Sequence, residues 1–192
     1  MVPGSAGDGR SAVEVQTKQP HEVRGKDMMI FGMTLFTFFH VVLSLVGIFS
    51  GFTVVLGFLT AKRLGGWAAL FLSTTVLTSV TGFLFPFHGF KPSYVVGTIS
   101  ILVLALAIFA LYVRQLAGGW RRTYVISSVM ALYLNVFVLV VQLFMKVPAL
   151  NALAPTQSEG PFKLTQLTIL ALFVLLGIFA TMRFGGEQLR TA

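Results

Sequence analysis

The chain contains no cysteine among its 192 residues, which excludes disulfides, thiolate metal ligands and cysteine nucleophiles. It is also poor in charge, since only 10% of its residues are Asp, Glu, Lys or Arg, against roughly 25% in soluble domains. With 56% hydrophobic residues, it has too few polar side chains to coat a globule in water. These shortages argue against a soluble protein and indicate a single membrane domain.

Five stretches carry no acidic or basic residue, and each approaches or exceeds the roughly 20 helical residues that cross a hydrocarbon core about 30 Å thick. We therefore predict an all-α membrane protein, a bundle of five transmembrane helices within residues 28–184. The predicted spans are 28–61, 66–87, 94–115, 123–146 and 163–183. The first is long, but two spans and a turn would need more than about 40 residues, so we expect one tilted or protruding helix. The third is nearly all aliphatic, and we expect it to be the most exposed to lipid.

The two ends of the chain differ from the spans. Residues 1–27 hold four bases, four acids and no apolar run, a composition typical of a disordered polar tail. Met28 and Met29 open the first apolar run, so either is a candidate for the natural start. Residues 185–192 form a short C-terminal tail.

The formal net charge of +8 lies in the tails and links, where basic residues orient membrane helices, so we predict no nucleic-acid partner. Outside the N-terminal tail, seven bases fall on one predicted side of the bundle and three on the other. The four bases of the tail oppose this asymmetry, but four acids lie among them. By the positive-inside rule we expect the C-terminus in the cytoplasm and the N-terminus outside.

Small and polar residues form a stripe on each of three predicted helices. At spacings of three, four or seven residues, these are His40, Ser44, Gly47 and Gly51 in the first helix, Thr75, Ser79 and Gly82 in the second, and Ser128, Asn135, Gln142 and Lys146 in the fourth. One interpretation is helix packing, because small residues let backbones approach and hydroxyl or amide groups bond across helices. The residues assigned to packing are Ser44, Gly47, Gly51, Ser79 and Gly82.

The other interpretation of the stripes is a polar cavity among the first, second and fourth helices. Its ligand-binding residues would be Asn135, Gln142 and Lys146, since a polar group within a span is costly to expose to lipid. Asn135 lies near mid-span, so we expect its amide to face the bundle interior and to find a partner there. The cavity would open past Gln142 toward His40 and His88.

His40 and His88 are the candidate cofactor-binding residues, because histidines on two helices at one depth can ligate a haem iron. They share a depth if the first helix ends near Thr60, whereas a helix that enters at Met29 places His40 in mid-membrane. The nearby phenylalanines would also suit a flat quinone. The alternative is a hydrogen-bonded core His40 and an interfacial His88. No metal site is predicted, because no carboxylate lies near the two histidines.

Two segments, LTSVTGFLFPF at 77–87 and NVFVLVVQLFMKVPALNALAPTQSEGPF at 135–162, resemble a group of small bacterial multi-spanning integral membrane proteins for which no function is known. The resemblance implies a bacterial inner (cytoplasmic) membrane and transfers no catalytic residue.

We expect a non-enzymatic accessory or ligand-binding subunit that meets the lipid bilayer and other membrane subunits or further copies of itself. The alternatives are a haem- or quinone-binding redox component and a small-solute transporter. Against transport stand the absence of carboxylates from the predicted spans and the lack of an evident inverted repeat.

Overall fold

The structure, a computed structural model, describes residues 29–30, 33–84 and 92–185. Five of its helices are long and apolar enough to cross a membrane, which confirms the predicted all-α bundle. The helices are α1 Leu35–Leu59, α2 Gly65–Phe83, α3 Pro92–Ile108, α4 Trp120–Lys146, the short α5 Pro148–Leu153, and α6 Gly160–Gly185. A π-helical turn, Phe109–Val113, continues α3.

The first helix is shorter than predicted, because α1 begins at Leu35 rather than at residue 28. Before it, β1 Met29–Ile30 pairs antiparallel with β2 Met33–Thr34. Gly32 and Thr34 have low helix propensity, which disfavours extending α1 toward the N-terminus. The remaining 25 residues of α1 would extend about 37 Å at 1.5 Å per residue, enough for one crossing, so the single helix is shorter than the tilted or protruding one expected.

The helices are arranged as a four-helix ring with one addition. α1 packs on α2, α2 on α3 and α3 on α4, and α4 closes the ring by packing on α1. The addition is α6, which packs against both α1 and α4. α4 therefore packs extensively against α1, α3 and α6, though not against α2, and it forms the centre of the bundle.

Consecutive spans run antiparallel, as their side-chain contacts show. At one end, His40 of α1 meets Thr81 of α2, and Gln166 of α6 meets Phe137 of α4. We call this the histidine end. At the opposite end, which we call the arginine end, the rings of Phe58, Tyr124 and Phe184 bring α1, α4 and α6 together. The described basic residues of the arginine end are Lys62, Arg63, Arg114, Arg121, Arg122 and Arg183.

The expectation that the third helix is the most exposed to lipid is wrong, because α6 has the smallest buried share. α3 buries Leu104 and Ala107, the π-helical turn that continues it buries Ala110, and small residues at spacing i, i+3 allow close approach to neighbouring helices. α6 buries a single stripe, and large apolar side chains cover the rest of its surface.

The segment between α4 and α6 folds back over the histidine end of α4. Pro148 has no backbone N–H, so it cannot donate to the carbonyl of Phe144 four residues earlier. Asn151 supplies the missing donor, with its Nδ2 3.2 Å from the Phe144 oxygen. Gln157 Nε2 also donates a hydrogen bond to the oxygen of Val141 at 3.3 Å. These side-chain bonds tie the segment to α4.

Candidate functional site

The polar faces of α1, α2 and α4 meet in mid-bundle around Asn135. Its Nδ2 donates a hydrogen bond to Thr75 Oγ1 at 3.3 Å, and Thr75 is fully buried. Asn135 therefore faces the bundle interior, as the cost of an amide in lipid predicts. Gly47 makes room for this pair, because a Cβ there would lie 3.2 Å from Thr75 Oγ1 and 3.6 Å from Asn135 Nδ2.

The second polar contact joins α1 to α2 nearer the histidine end. His40 Nδ1 lies 2.8 Å from Thr81 Oγ1, and that hydroxyl is also 2.7 Å from the carbonyl oxygen of Leu77. His40 and Thr81 thus share one hydrogen bond across the α1–α2 contact, and the tautomer of His40 sets which of the two donates.

The depth of His40 follows from the start of α1. His40 is the sixth residue of the helix, within the second turn from its histidine end. This corresponds to the end-of-span alternative rather than to mid-membrane. His88 lies outside the described residues, so the proposed pairing of the two histidines stays a prediction.

The residues assigned to packing occupy the α1–α2 and α1–α4 contacts to different degrees. Gly51 is the tightest, since a Cβ there would lie 2.7 Å from Leu132 and 2.8 Å from the ring of Phe71. Gly82 is looser, with His40 Cε1 at 3.7 Å from a built Cβ. Ser44 donates to the carbonyl of His40 in its own helix at 3.0 Å. Ser79 is half-buried on α2.

The other two residues assigned to a ligand, Gln142 and Lys146, are exposed near the histidine end of α4. The structure does not bring them into the seam formed by Asn135 and Thr75. Their ligand-binding role and the cavity expected beside them stay predictions.

A different concave surface lies between α4 and α6, where an apolar groove of about 470 Å³ opens on the outside of the bundle. α4 contributes Ile126, Val129, Met130 and Tyr133, and α6 contributes seven residues between Leu170 and Met182. We call it the α4–α6 groove. Val129 and Phe173 are buried and form its floor, whereas most of its walls are exposed.

The α4–α6 groove is hard to recognise in the sequence, because its lining is as apolar as the lipid-facing surface around it. The one local signal is Gly177, which lies in the middle of α6 and lines the groove. A Cβ at this position would meet Val129 Cγ1 at an ordinary 3.6 Å. The glycine therefore widens the groove without being required for close helix approach.

The electrostatics of the bundle are one-sided. The arginine end holds six described bases, and Glu159, the one acidic residue in the described part of the chain, lies at the other end before α6. Arg121 stacks on the ring of Phe184, with Cζ 4.5 Å from the centroid, and Arg114 stacks on Trp120 at 5.3 Å. The arginine end is thus strongly basic.

Chemistry-bearing side chains are sparse. Within residues 29–30, 33–84 and 92–185 no three His, Cys, Asp or Glu side chains are grouped closely enough to hold a metal ion. The hydrogen-bonded pairs Asn135–Thr75 and His40–Thr81 join helices.

Comparison with protein-family models, curated proteins and solved structures found no match to this chain.

Proposed function

We propose that this protein is a non-enzymatic, multi-pass membrane protein that binds an apolar, chain-like ligand in the α4–α6 groove and serves as a ligand-binding or accessory subunit. The observation that carries the proposal is the groove itself. Its volume of about 470 Å³ falls within the range of roughly 300–1,000 Å³ that is usual for small-molecule sites. Its lining is apolar except for two hydroxyl groups, so it would select for hydrocarbon.

Two polar contacts within the spans support this proposal, because they hold helices together instead of lining a polar ligand site. Asn135 bonds to Thr75, and His40 bonds to Thr81. Bonds of this kind across membrane helices contribute about 0.6 kcal/mol on average, which suits a packing role.

A test of ligand binding is analysis of the lipids and isoprenoids that copurify in mild detergent. We expect the wild type to retain a chain-like molecule at a constant molar ratio and Gly177→Leu, which fills the groove, to lose it. Ala171→Leu is the matched control, because Ala171 is exposed on the same helix and does not line the groove. Equal retention by all three proteins would rule out the groove as the site.

For location, we propose a bacterial inner membrane with the arginine end in the cytoplasm. The excess of bases at that end supports this orientation through the positive-inside rule. Because the chain has no cysteine, single-cysteine variants report topology directly. An impermeant maleimide added to intact spheroplasts should label Ala152→Cys but label Ala117→Cys only after permeabilisation. The reverse pattern would invert the orientation, and labelling of both would contradict five spans.

A second candidate function, a haem- or quinone-binding redox component, is favoured by the geometry of His40. A ligating histidine is usually oriented by a hydrogen bond at its other ring nitrogen, and His40 Nδ1 lies 2.8 Å from Thr81 Oγ1. Absorbance of the purified protein tests it. A Soret band that disappears in His40→Ala, or copurifying quinone, would favour this function over the first.

A further inference from the structure

We infer that the ligand of the α4–α6 groove is an anionic phospholipid of the leaflet at the arginine end, with its acyl chain in the groove and its phosphate at Arg122. This inference rests on the ligand-binding function proposed above. It adds the chemical class of the ligand, its direction in the groove and the residue that recognises it.

The direction follows from where the groove ends. At the arginine end its last lining residues are Ile126 on α4 and Met182 on α6. Arg122 lies four residues before Ile126, so it occupies the same face of α4 one turn nearer the helix end. Arg183 directly follows Met182. Both arginines are exposed, so their guanidinium groups can meet a head group at the membrane surface.

The length of the groove fits one leaflet. From Arg122 to Tyr133, the innermost α4 residue of the lining, α4 rises about 16 Å at 1.5 Å per residue. Half of a hydrocarbon core about 30 Å thick is about 15 Å. Tyr133 and Phe173, with ring centroids 5.7 Å apart, pack together at this inner end. A chain that enters beside the arginines would therefore end near the bilayer centre.

This one-leaflet length also argues against a helix of a second copy as the occupant. A spanning helix runs through the whole core, about 30 Å, and would need a continuous groove of that length. The lining instead stops about halfway, at Tyr133 on α4 and Leu170 on α6.

The charges argue for an anionic head group. Within the described part of the chain, Arg122 and Arg183 have neither a carboxylate nor an aromatic ring as partner, unlike Arg114 and Arg121, which stack on rings. A guanidinium binds phosphate oxygens in pairs, and basic sites between spanning helices bind anionic head groups. A zwitterionic lipid carries a compensating cation that the surrounding bases would repel.

Thermal unfolding in detergent with added lipid tests the inference. Dioleoyl phosphatidylglycerol and dioleoyl phosphatidylcholine share their chains, so the difference between their stabilising effects isolates the head group. Binding to the folded state raises Tm in proportion to the logarithm of lipid concentration over its dissociation constant. For the wild type we expect a larger rise with phosphatidylglycerol. Arg122→Gln should remove most of the difference between the lipids, and Gly177→Leu should remove both rises.

Arg114→Gln is the control for charge, because Arg114 lies at the same end but is stacked on Trp120. It should keep the preference for phosphatidylglycerol. Circular dichroism and gel filtration confirm that each variant is folded. If Gly177→Leu is not, Ile126→Trp narrows the groove from the α4 side and replaces it.

Three results would overturn the inference in distinguishable ways. Equal rises with both lipids, lost in Gly177→Leu, would refute the anionic ligand and leave the apolar ligand-binding function intact. Rises unchanged in Gly177→Leu and Ile126→Trp would refute both. Disulfide dimers of Ile178→Cys that form in native membranes and persist with added phosphatidylglycerol would show a second copy on the groove.

Discussion

Gly51 should be the glycine of α1 that least tolerates a methyl group. It lies where α1, α2 and α4 meet, and a Cβ there would approach Leu132 Cδ1 to 2.7 Å and the Phe71 ring to 2.8 Å. Real Cβ contacts essentially never come this close. Leu132 is fully buried and Phe71 is 1% exposed, so neither side chain can move aside into open space. Gly51→Ala must therefore shift a helix or force strained side chains.

The expected magnitude comes from two opposing terms. Replacing a helical glycine by alanine stabilises a helix by roughly 0.5–1 kcal/mol. Overpacking a filled core costs about 1–3 kcal/mol. Gly82→Ala gains helix propensity without the cost of overpacking, because its Cβ would lie at an ordinary 3.7 Å from His40. The difference between the two variants therefore isolates the steric cost, and we expect Gly51→Ala to be less stable by about 1–3 kcal/mol.

Reversible unfolding in mixed micelles, followed by circular dichroism, measures this difference directly. In thermal scans each kcal/mol corresponds to about 2–4 °C for a chain of this size. Gly82→Ala should match or exceed the wild type, and Gly51→Ala should fall below both. Equal stability of the two alanine variants would refute the reasoning, because it would mean that α1 does not approach α2 and α4 as closely as described.

Three further predictions concern a helix end, the polar seam and the segment before α6. Ala61 closes α1 with φ of 54°, a left-handed conformation that costs a side chain roughly 1 kcal/mol, so Ala61→Gly should raise thermal stability. Ala69→Gly in the exposed helical surface of α2 should lower it, and two changes of the same sign would contradict this assignment. A double-mutant cycle of Asn135→Ala and Thr75→Val should give a coupling free energy of about 0.6 kcal/mol, up to about 1.7. A coupling of zero would contradict a hydrogen bond between these two side chains. The Thr156 hydroxyl and nearby backbone N–H groups hold the pKa of the Glu159 carboxyl below its usual range. The stabilisation that these hydrogen bonds give the segment is therefore fully present above the pKa of the unfolded state and is lost as pH falls through the lowered pKa. The protection factors of the amides in residues 154–160, taken relative to the intrinsic exchange rate at each pH, should fall as pH falls through the lowered pKa, and Glu159→Gln should abolish this change.

The spans could be predicted because the bilayer imposes a strong and local constraint. A helix across hydrocarbon must be long and uncharged wherever it packs, so hydropathy alone located five of them. The start of α1 was less predictable, since residues 29–34 are as apolar as the helix that follows, and their pairing as β1 and β2 depends on backbone preferences that are weak in sequence. The short helix α5 was missed because its six residues carry no period.

For the candidate site, the cost of a buried amide predicted where Asn135 points but not what it meets. A side chain on α2 and a polar ligand could each supply the hydrogen bond that the buried amide needs. Which of them does so depends on how closely α1, α2 and α4 approach one another. Gly47 and Gly51 set that distance, and it leaves Asn135 within 3.3 Å of Thr75. The polar residues at the histidine end were expected to gather around a cavity, yet Gln142 and Lys146 are exposed there.

Hydropathy and charge along the chain are enough to predict that this protein lies in a bilayer, how many times it crosses and which of its ends is basic, because each of these depends on composition within a short segment. Which helices are neighbours, what Asn135 contacts and where the α4–α6 groove lies are visible only in the assembled bundle. This is because lipid tails and apolar side chains are nearly equivalent surroundings for an apolar helix face. A face that packs, a face that meets lipid and a face that forms a groove therefore look alike in sequence, and only the shapes of the assembled helices distinguish them.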